Sequence, residues 1–234
     1  MVVLSIETSS LTGGAAIIAS GRVLGEFTLS SKRTYSRRLL SSVLYLLNEL
    51  GLAWQDLDLI AVGLGPGSFT GLRIGISTAK GLALAHSLPI FGIPTLDVIA
   101  QNAQIEDRRL ICPVMDARRQ QVYTCLYRPG FPRDPQRITD YKAIEPDKLG
   151  ELIPSNDDIL FIGDGINNYG ELFIQNFKKR ASFAPEHLWH PRPSITGLIA
   201  EKRKKLGIEP ETPQDLAPLY CRLSEAEEKR KQDG

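Results

Sequence analysis

The chain has 234 residues, of which 42% are hydrophobic, 24% charged and 7% aromatic, with 28 Lys and Arg against 27 Asp and Glu. That composition excludes collagen, a coiled coil and a disordered polymer, and a chain of this length buries roughly 70–75% of its unfolded surface as one large domain or two small lobes. The net charge of +1 argues against a protein that grips nucleic acid over its whole surface. Apolar runs such as Leu57–Val62 fall far short of the roughly 18–20 residues a membrane-spanning helix needs. Residues 1–7 carry no basic region and meet an acid at Glu7, so they do not read as a signal peptide. Cys112, Cys125 and Cys221 share no close spacing and form neither a disulfide framework nor a zinc ribbon, which points to the cytoplasm.

Val2–Ile6 is a short apolar run ended by Glu7-Thr8-Ser9-Ser10, a buried strand and a polar turn. Gly14–Ala19 and Val23–Leu29 meet at Ser20-Gly21 in a tight hairpin. A helix is predicted from Tyr35 to Leu50, with Leu39, Leu40, Val43, Leu44, Leu47 and Leu50 on its main stripe and Gly51 as its stop. Tyr35, Tyr45 and Leu46 fall off that stripe and widen its apolar surface. Leu57–Val62 reads as a strand, 63–67 as a loop, and Thr70–Ala85 as a helix capped by Ser68 or Thr70. Pro89–Ile93 is a strand and Leu96–Ala103 a short helix.

The charged break Glu106–Arg109 separates two expected lobes, residues 1–106 and 107–234, with the C-terminal segment packing back on the first. Leu110–Met115 and Gln121–Tyr127 then restart the pattern as a strand pair. After a connection carrying Pro129, Pro132 and Pro135, a strand at Ile159–Ile162 enters Gly163-Asp164-Gly165. Two hairpin-then-helix halves suggest a duplicated α/β architecture. The charged tail from Glu225 to Gly234 is expected to fray.

Gly65-Pro-Gly-Ser-Phe-Thr-Gly71 lies between a strand and a helix, where backbone N–H groups and a helix dipole can hold phosphate. No Lys-Ser/Thr follows the last glycine, and the third glycine comes one residue late for a dinucleotide fingerprint. Local physics favours a tight structural turn ahead of a closely packed helix. Gly71, Gly75, Ala79 and Ala83 form one small row on that helix, and Ser77, Gly81 and Ala85 another. Each interior glycine costs about 1 kcal/mol relative to alanine, so the rows imply close approach by another helix, in this chain or a partner.

His187-Leu-Trp-His190 lacks a third ligand at recognisable spacing and reads as structural. No Ser-His-Asp order, His-Glu-x-x-His or Cys-His pairing appears. The basic clusters Lys32-Arg33 with Arg37-Arg38, Lys178–Arg180 and Lys202–Lys205 read as solvated faces, with weak tRNA contact the sharper alternative.

Gly65–Gly75, preceded by Leu57–Val62 and followed by Gly81-Leu-Ala-Leu, closely resembles the TsaB (YeaZ) family. Ile6-Glu-Thr-Ser9, Gly92–Asp97, Asp116-Ala-Arg118 with Val122-Tyr123, and Pro218–Arg222 match as well. The likeness is dense over residues 2–127, thins in the middle and returns near the C-terminus. It implies a two-lobed actin-like ATPase (ASKHA) fold. It also implies a role in making N6-threonylcarbamoyladenosine in tRNAs that read codons starting with A. In that pathway a TsaC-type enzyme makes threonylcarbamoyl-adenylate, a TsaD-type enzyme transfers the group, TsaB is the non-catalytic paralogue and partner of TsaD, and TsaE is an ATPase.

TsaD-like chains carry a metal-binding His-x-x-x-His after a stretch resembling Gly92–Pro94; its histidines fall on Thr95 and Ile99 here, which cannot make a metal site. Their Ser-Gly-Gly phosphate turn falls on Asp116-Ala-Arg118, whose carboxylate would repel an anion. Glu7 stands where the family has Asp, and Tyr35 where many relatives have histidine. The resemblance therefore implies no cofactor, no metal and no catalytic residues. It leaves Glu7, Thr8, Ser9, Gly65, Gly67, Asp116, Gly163 and Gly165 as vestigial nucleotide loops. Tyr35, Leu39, Val43, Leu46, Gly71, Gly75 and Ala79 are the expected interface. The expected partners are a TsaD-like protein, a TsaE-like ATPase, a second copy when unpartnered, and tRNA only through the complex. The alternatives are a glycoprotease-like metallopeptidase, an actin-fold small-molecule kinase, and a direct tRNA-binding module.

Overall fold

The computed structural model describes residues 1–30, 38–103, 108–130 and 134–222. The expected start of the first helix at Tyr35, half of the break at 106–109 and the tail from 225 lie outside these residues. The first sheet runs in the order β3-β2-β1-β4-β5, built from β1 (Val2–Glu7), β2 (Thr12–Ala19), β3 (Arg22–Ser30), β4 (Leu59–Gly65) and β5 (Ile90–Pro94). β1, β2 and β3 pair antiparallel, and β4 and β5 add on parallel. Ser20 and Gly21 both have positive φ (51° and 77°), the twist a two-residue hairpin needs.

The second sheet repeats that order as β10-β7-β6-β11-β12. Its strands are β6 (Leu110–Asp116), β7 (Val122–Thr124), β10 (Lys142–Ile144), β11 (Ile159–Ile162) and β12 (Ala181–Phe183). The short β8 (Tyr127–Arg128) pairs with β6 and with β9 (Gln136–Arg137). Each sheet is thus an antiparallel trio extended by two parallel strands, and the duplication expected from the hairpin-then-helix pattern is present.

Alternation along the strands distributes the helices. In β1, Leu4 and Ile6 face α1 (Leu39–Glu49) and α2 (Phe69–His86), whereas Val3 faces α5 (Pro193–Lys205). In β11, Ile159 and Phe161 meet Phe173 and Phe177 of α4 (Ile166–Phe177), whereas Leu160 and Ile162 meet Leu96 and Ile99 of α3 (Thr95–Asn102). The helix leaving the first sheet therefore packs on the second, and the helix leaving the second packs on the first. Glu26 holds the start of α5, accepting from the Ser194 N–H and hydroxyl at 2.9 and 2.7 Å and pairing with Arg192. An acid at a helix N-terminus also complements its dipole.

α1 differs from expectation. Leu46 is buried (5% exposed), while Leu40 and Leu44, placed on the stripe, are 46% and 47% exposed with Tyr45 beside them. Apolar residues cover more than half the helix circumference, so periodicity alone does not choose the buried arc. Gly51, at φ +64°, ends the helix as predicted. The stretch 63–65, expected as loop, continues β4.

One carboxylate ties the exchanged helices together. Asp97 on α3 accepts from the Tyr127 and Tyr141 hydroxyls at 2.6 and 2.7 Å, and Arg203 of α5 reaches its other oxygen at 3.4 Å. Arg203 also donates to the Gly92 carbonyl at 3.1 Å. Burial raises the pKa of the Tyr127 phenol, keeping it a donor. Asp97→Ala should lower the unfolding free energy by on the order of 2–3 kcal/mol, since it strands a buried hydroxyl and a guanidinium, and Asp97→Asn by about 1 kcal/mol because it keeps an acceptor. Urea titration of both variants checks the ranking.

Candidate functional site

The turn after β1 is gripped by the loop and helix that follow β4. Gly75 lies so close that a Cβ there would come 2.1 Å from Thr8 Oγ1, and a Cβ on Gly71 would come 2.1 Å from the Thr8 carbonyl oxygen. Thr8 Oγ1 donates to the Gly71 carbonyl at 2.8 Å, and the Ser68 N–H to the Ser9 carbonyl at 2.7 Å. Gly67 backs onto Ser9 and Gly63 onto the Glu7 carboxylate in the same way. The row Gly71-Gly75-Ala79 therefore meets its own chain and is buried, so it is not the point of closest approach to a partner. The row Ser77-Gly81-Ala85 is the exposed one, and nothing lies within 4 Å of a Cβ built on Gly81.

The N-terminus of α2 spends donors internally: Ser68 Oγ accepts from the Gly71 N–H at 3.2 Å, and the Ser68 carbonyl from the Leu72 N–H at 2.8 Å. Ser68, and not Thr70, is the cap. This is the geometry of a closely packed turn, and the contacts leave no phosphate-sized gap between Thr8 and Gly71. Glu7 is fully buried; its carboxylate accepts from the Ser9 N–H at 2.8 Å and from Thr196 Oγ1 at 3.3 Å. Burial raises its pKa above 4.5, and the hydrogen bonds from Ser9, Thr8 and Thr196 only partly offset that.

In the second lobe Asp116 and Asp164 stand together. The Asp116 N–H donates to Asp164 Oδ1 at 3.0 Å, Asp116 Oδ1 accepts from the Arg118 N–H at 2.8 Å, and Asn168 reaches Asp116 Oδ2 at 3.3 Å. Burial raises the Asp164 pKa, and the Asp116 charge adds to it. A Cβ on Gly163 (φ +129°) would come 2.2 Å from the Val114 carbonyl, so this loop too is pressed against its strand. A carboxylate pair repels a phosphate.

Thr95 and Ile99 lie on the first turns of α3, and both are fully buried. Ile99 packs among Met115, Cys125 and Tyr127, and the Thr95 hydroxyl has no hydrogen-bond partner. Among the described residues no group of three His, Cys, Asp or Glu side chains is placed to hold a metal ion. The His190 carbonyl accepts from Asn102 Nδ2 at 2.8 Å. Burial raises the Cys112 thiol to about 12 and Cys221 to about 11, so neither is a nucleophile near neutrality.

Residues 22–230 match the TsaD family model, described as tRNA N6-adenosine threonylcarbamoyltransferase. The chain is 34% identical, over 98% of its own length and 97% of the relative's, to the tRNA threonylcarbamoyladenosine biosynthesis protein TsaB of Bacillus subtilis. The chain belongs to the TsaB (YeaZ) family. The Escherichia coli TsaB is 38% identical over 54% of this chain and 55% of its own. Among solved structures, YeaZ from Pseudomonas aeruginosa superposes with a TM-score of 0.80 at 25% identity, covering 94% of this chain and 99% of that one. Component A of the Acidaminococcus fermentans (R)-2-hydroxyglutaryl-CoA dehydratase, at 10% identity, 0.51 and coverage of 88% and 99%, shares the fold alone. The fold is the actin-like ATPase fold.

Sequence reasoning missed the Asp97 tie and the role of Thr196. The signal for Asp97 was present in Gly92–Asp97, but its partners lie far along the chain.

Two outcomes test this site. Thr95→Val should raise the unfolding free energy by about 1 kcal/mol, because it removes a buried unpaired hydroxyl at constant shape. With its pKa raised in the folded state, Glu7 contributes stability below about pH 4.5 that is lost as pH rises through the folded value. Glu7→Gln should therefore gain on the parent as pH rises above 4.5, read from unfolding midpoints across pH.

Proposed function

We propose that this chain is a non-catalytic subunit of tRNA threonylcarbamoyladenosine biosynthesis that binds and activates a TsaD-like threonylcarbamoyltransferase in the cytoplasm. Ile99 carries this reading: where TsaD-like chains are expected to place a metal-binding histidine, a buried isoleucine sits in the apolar packing between α3 and the second sheet. The filled turns at Thr8 and Gly163 and the Asp116–Asp164 pair support it further. Activation would be allosteric, the bound subunit favouring the partner's active arrangement.

The outer faces of α1 and α2 are the contact surface. Both helices pack on one face of the first sheet, and Leu82 and Leu88 join the α1 cluster. Leu40, Leu44 and Tyr45 stay exposed on α1, and Leu84 with the small row Ser77-Gly81-Ala85 on α2. Such a patch fits a helical partner, and a second copy in its absence. Among the described residues no helix is long and apolar enough to cross a membrane.

The direct tRNA-binding alternative loses one of its clusters: Lys202, Arg203, Lys204 and Lys205 pair with Asp134, Asp97, Glu209 and Glu201. The metallopeptidase reading lacks ligands among the described residues, and the kinase reading lacks a phosphate-sized gap at Thr8.

Reconstitution of tRNA threonylcarbamoylation with TsaC-, TsaD- and TsaE-like proteins should give product only when this chain is added. Equal product without it would defeat the proposal. Leu44→Glu should weaken pairing roughly 30-fold or more, the effect of losing a central interface residue, while the monomer keeps its unfolding midpoint. Gly75→Leu should instead compromise folding, because its side chain would collide with Thr8.

A further inference from the structure

We infer that residues 211–222 form a strap that ties the two lobes together and closes the crevice between the carboxyl ends of their strands. The inference does not rest on the partner reading.

The strap begins on the outer edge of β5, the edge strand of the first sheet. Glu211 makes an antiparallel bridge to Ile90, its N–H donating to the Ile90 carbonyl at 3.0 Å, and its carboxylate accepts from the Gly92 N–H at 3.2 Å. A turn closed by Thr212 and Asp215, whose side chains bond at 2.6 Å, redirects the chain inward. Leu216 then enters the core with Ile6, Val62, Leu72 and Ile76, and is 3% exposed. Past Pro218 the strap crosses the end of β4: the Leu219 N–H donates to the Leu64 carbonyl at 2.8 Å, and Tyr220 stacks on Phe69 with ring centres 5.5 Å apart. It ends on the other lobe, where Arg222 donates to Gln121 Oε1 at 3.1 Å.

The path matters because open α/β sheets take their ligands outside the carboxyl ends of the strands. The strap runs along the edge of β5 from its amino end, crosses the carboxyl end of β4 at Leu64 and reaches the turn after β6. Leu219 presses so closely on Gly65 that a Cβ there would come 3.0 Å from the Leu219 carbonyl oxygen. Anchored by a buried leucine in one lobe and by Gln121 in the other, the strap resists separation of the lobes as well as covering one of them.

A cover and a tie differ in reach. A cover protects only the first-lobe residues it touches, in β1, β4, β5 and α2. A tie also protects the turn and helix start at 163–168 in the second lobe, which the strap does not contact through any bond described above. Hydrogen exchange by mass spectrometry on the full chain distinguishes them. Two variants serve: Leu216→Ala loosens the anchor, and the double change Gln121→Ala with Arg222→Ala frees the far end without touching the core. Both should speed exchange at 163–168 by roughly tenfold or more through easier sub-global opening, while β2 and β11 stay protected. Acceleration confined to the first-lobe residues under the strap, or unchanged exchange at 163–168 in both variants, would overturn the inference.

Discussion

The approach of α2 to the turn after β1 constrains the rest of the first lobe. Backbone meets backbone at Gly71 and Thr8, and the Thr8 hydroxyl fills the space that a side chain at Gly75 would need. That contact seats α2 against Ile6 and Val62, puts Ser68 in place as its cap, and presses Gly63 against the buried Glu7. The absence of side chains at Gly71 and Gly75 is what allows this approach. The price is a buried carboxylate with a raised pKa, held by Ser9 and Thr196.

The second organising feature is the exchange of α3 and α5 between sheets. Each helix is connected to one sheet and packed on the other, so neither lobe completes its core alone. Asp97 sits at that crossing and joins α3, α5 and the second sheet through one side chain. The strap adds a further connection on the opposite route, from the edge of β5 to Gln121. Together these contacts join the two sheets at two separate places.

The parts legible in the sequence were those whose signal is local. β1, the β2–β3 hairpin and β11 were readable because apolar runs end at turn residues, and α2 because a capping serine precedes a helical pattern. α5 was not. Its buried residues are Pro193, Ser194, Thr196, Gly197, Ala200 and Glu201, which carry no apolar stripe because the helix lies close against β1 and β2 and needs small side chains there. The two- and three-residue strands β9, β10 and β12 are too short to show alternation.

By itself the sequence determined the family resemblance and the duplicated α/β pattern, and the resemblance set Thr95 and Ile99 where TsaD-like chains are expected to carry histidines. These are properties of residue identity and short spacing. Only the tertiary structure decided that Gly71 and Gly75 serve Thr8 of the same chain, that Leu46 faces inward while Leu40 and Leu44 face out, and that Asp97 and residues 211–222 bind the lobes together. A row of small residues on a helix signals close approach but not to what. A helix apolar over most of its circumference does not state which arc the sheet will cover. The answers depend on residues far apart in the chain, whose meeting is set by the packing of both sheets at once.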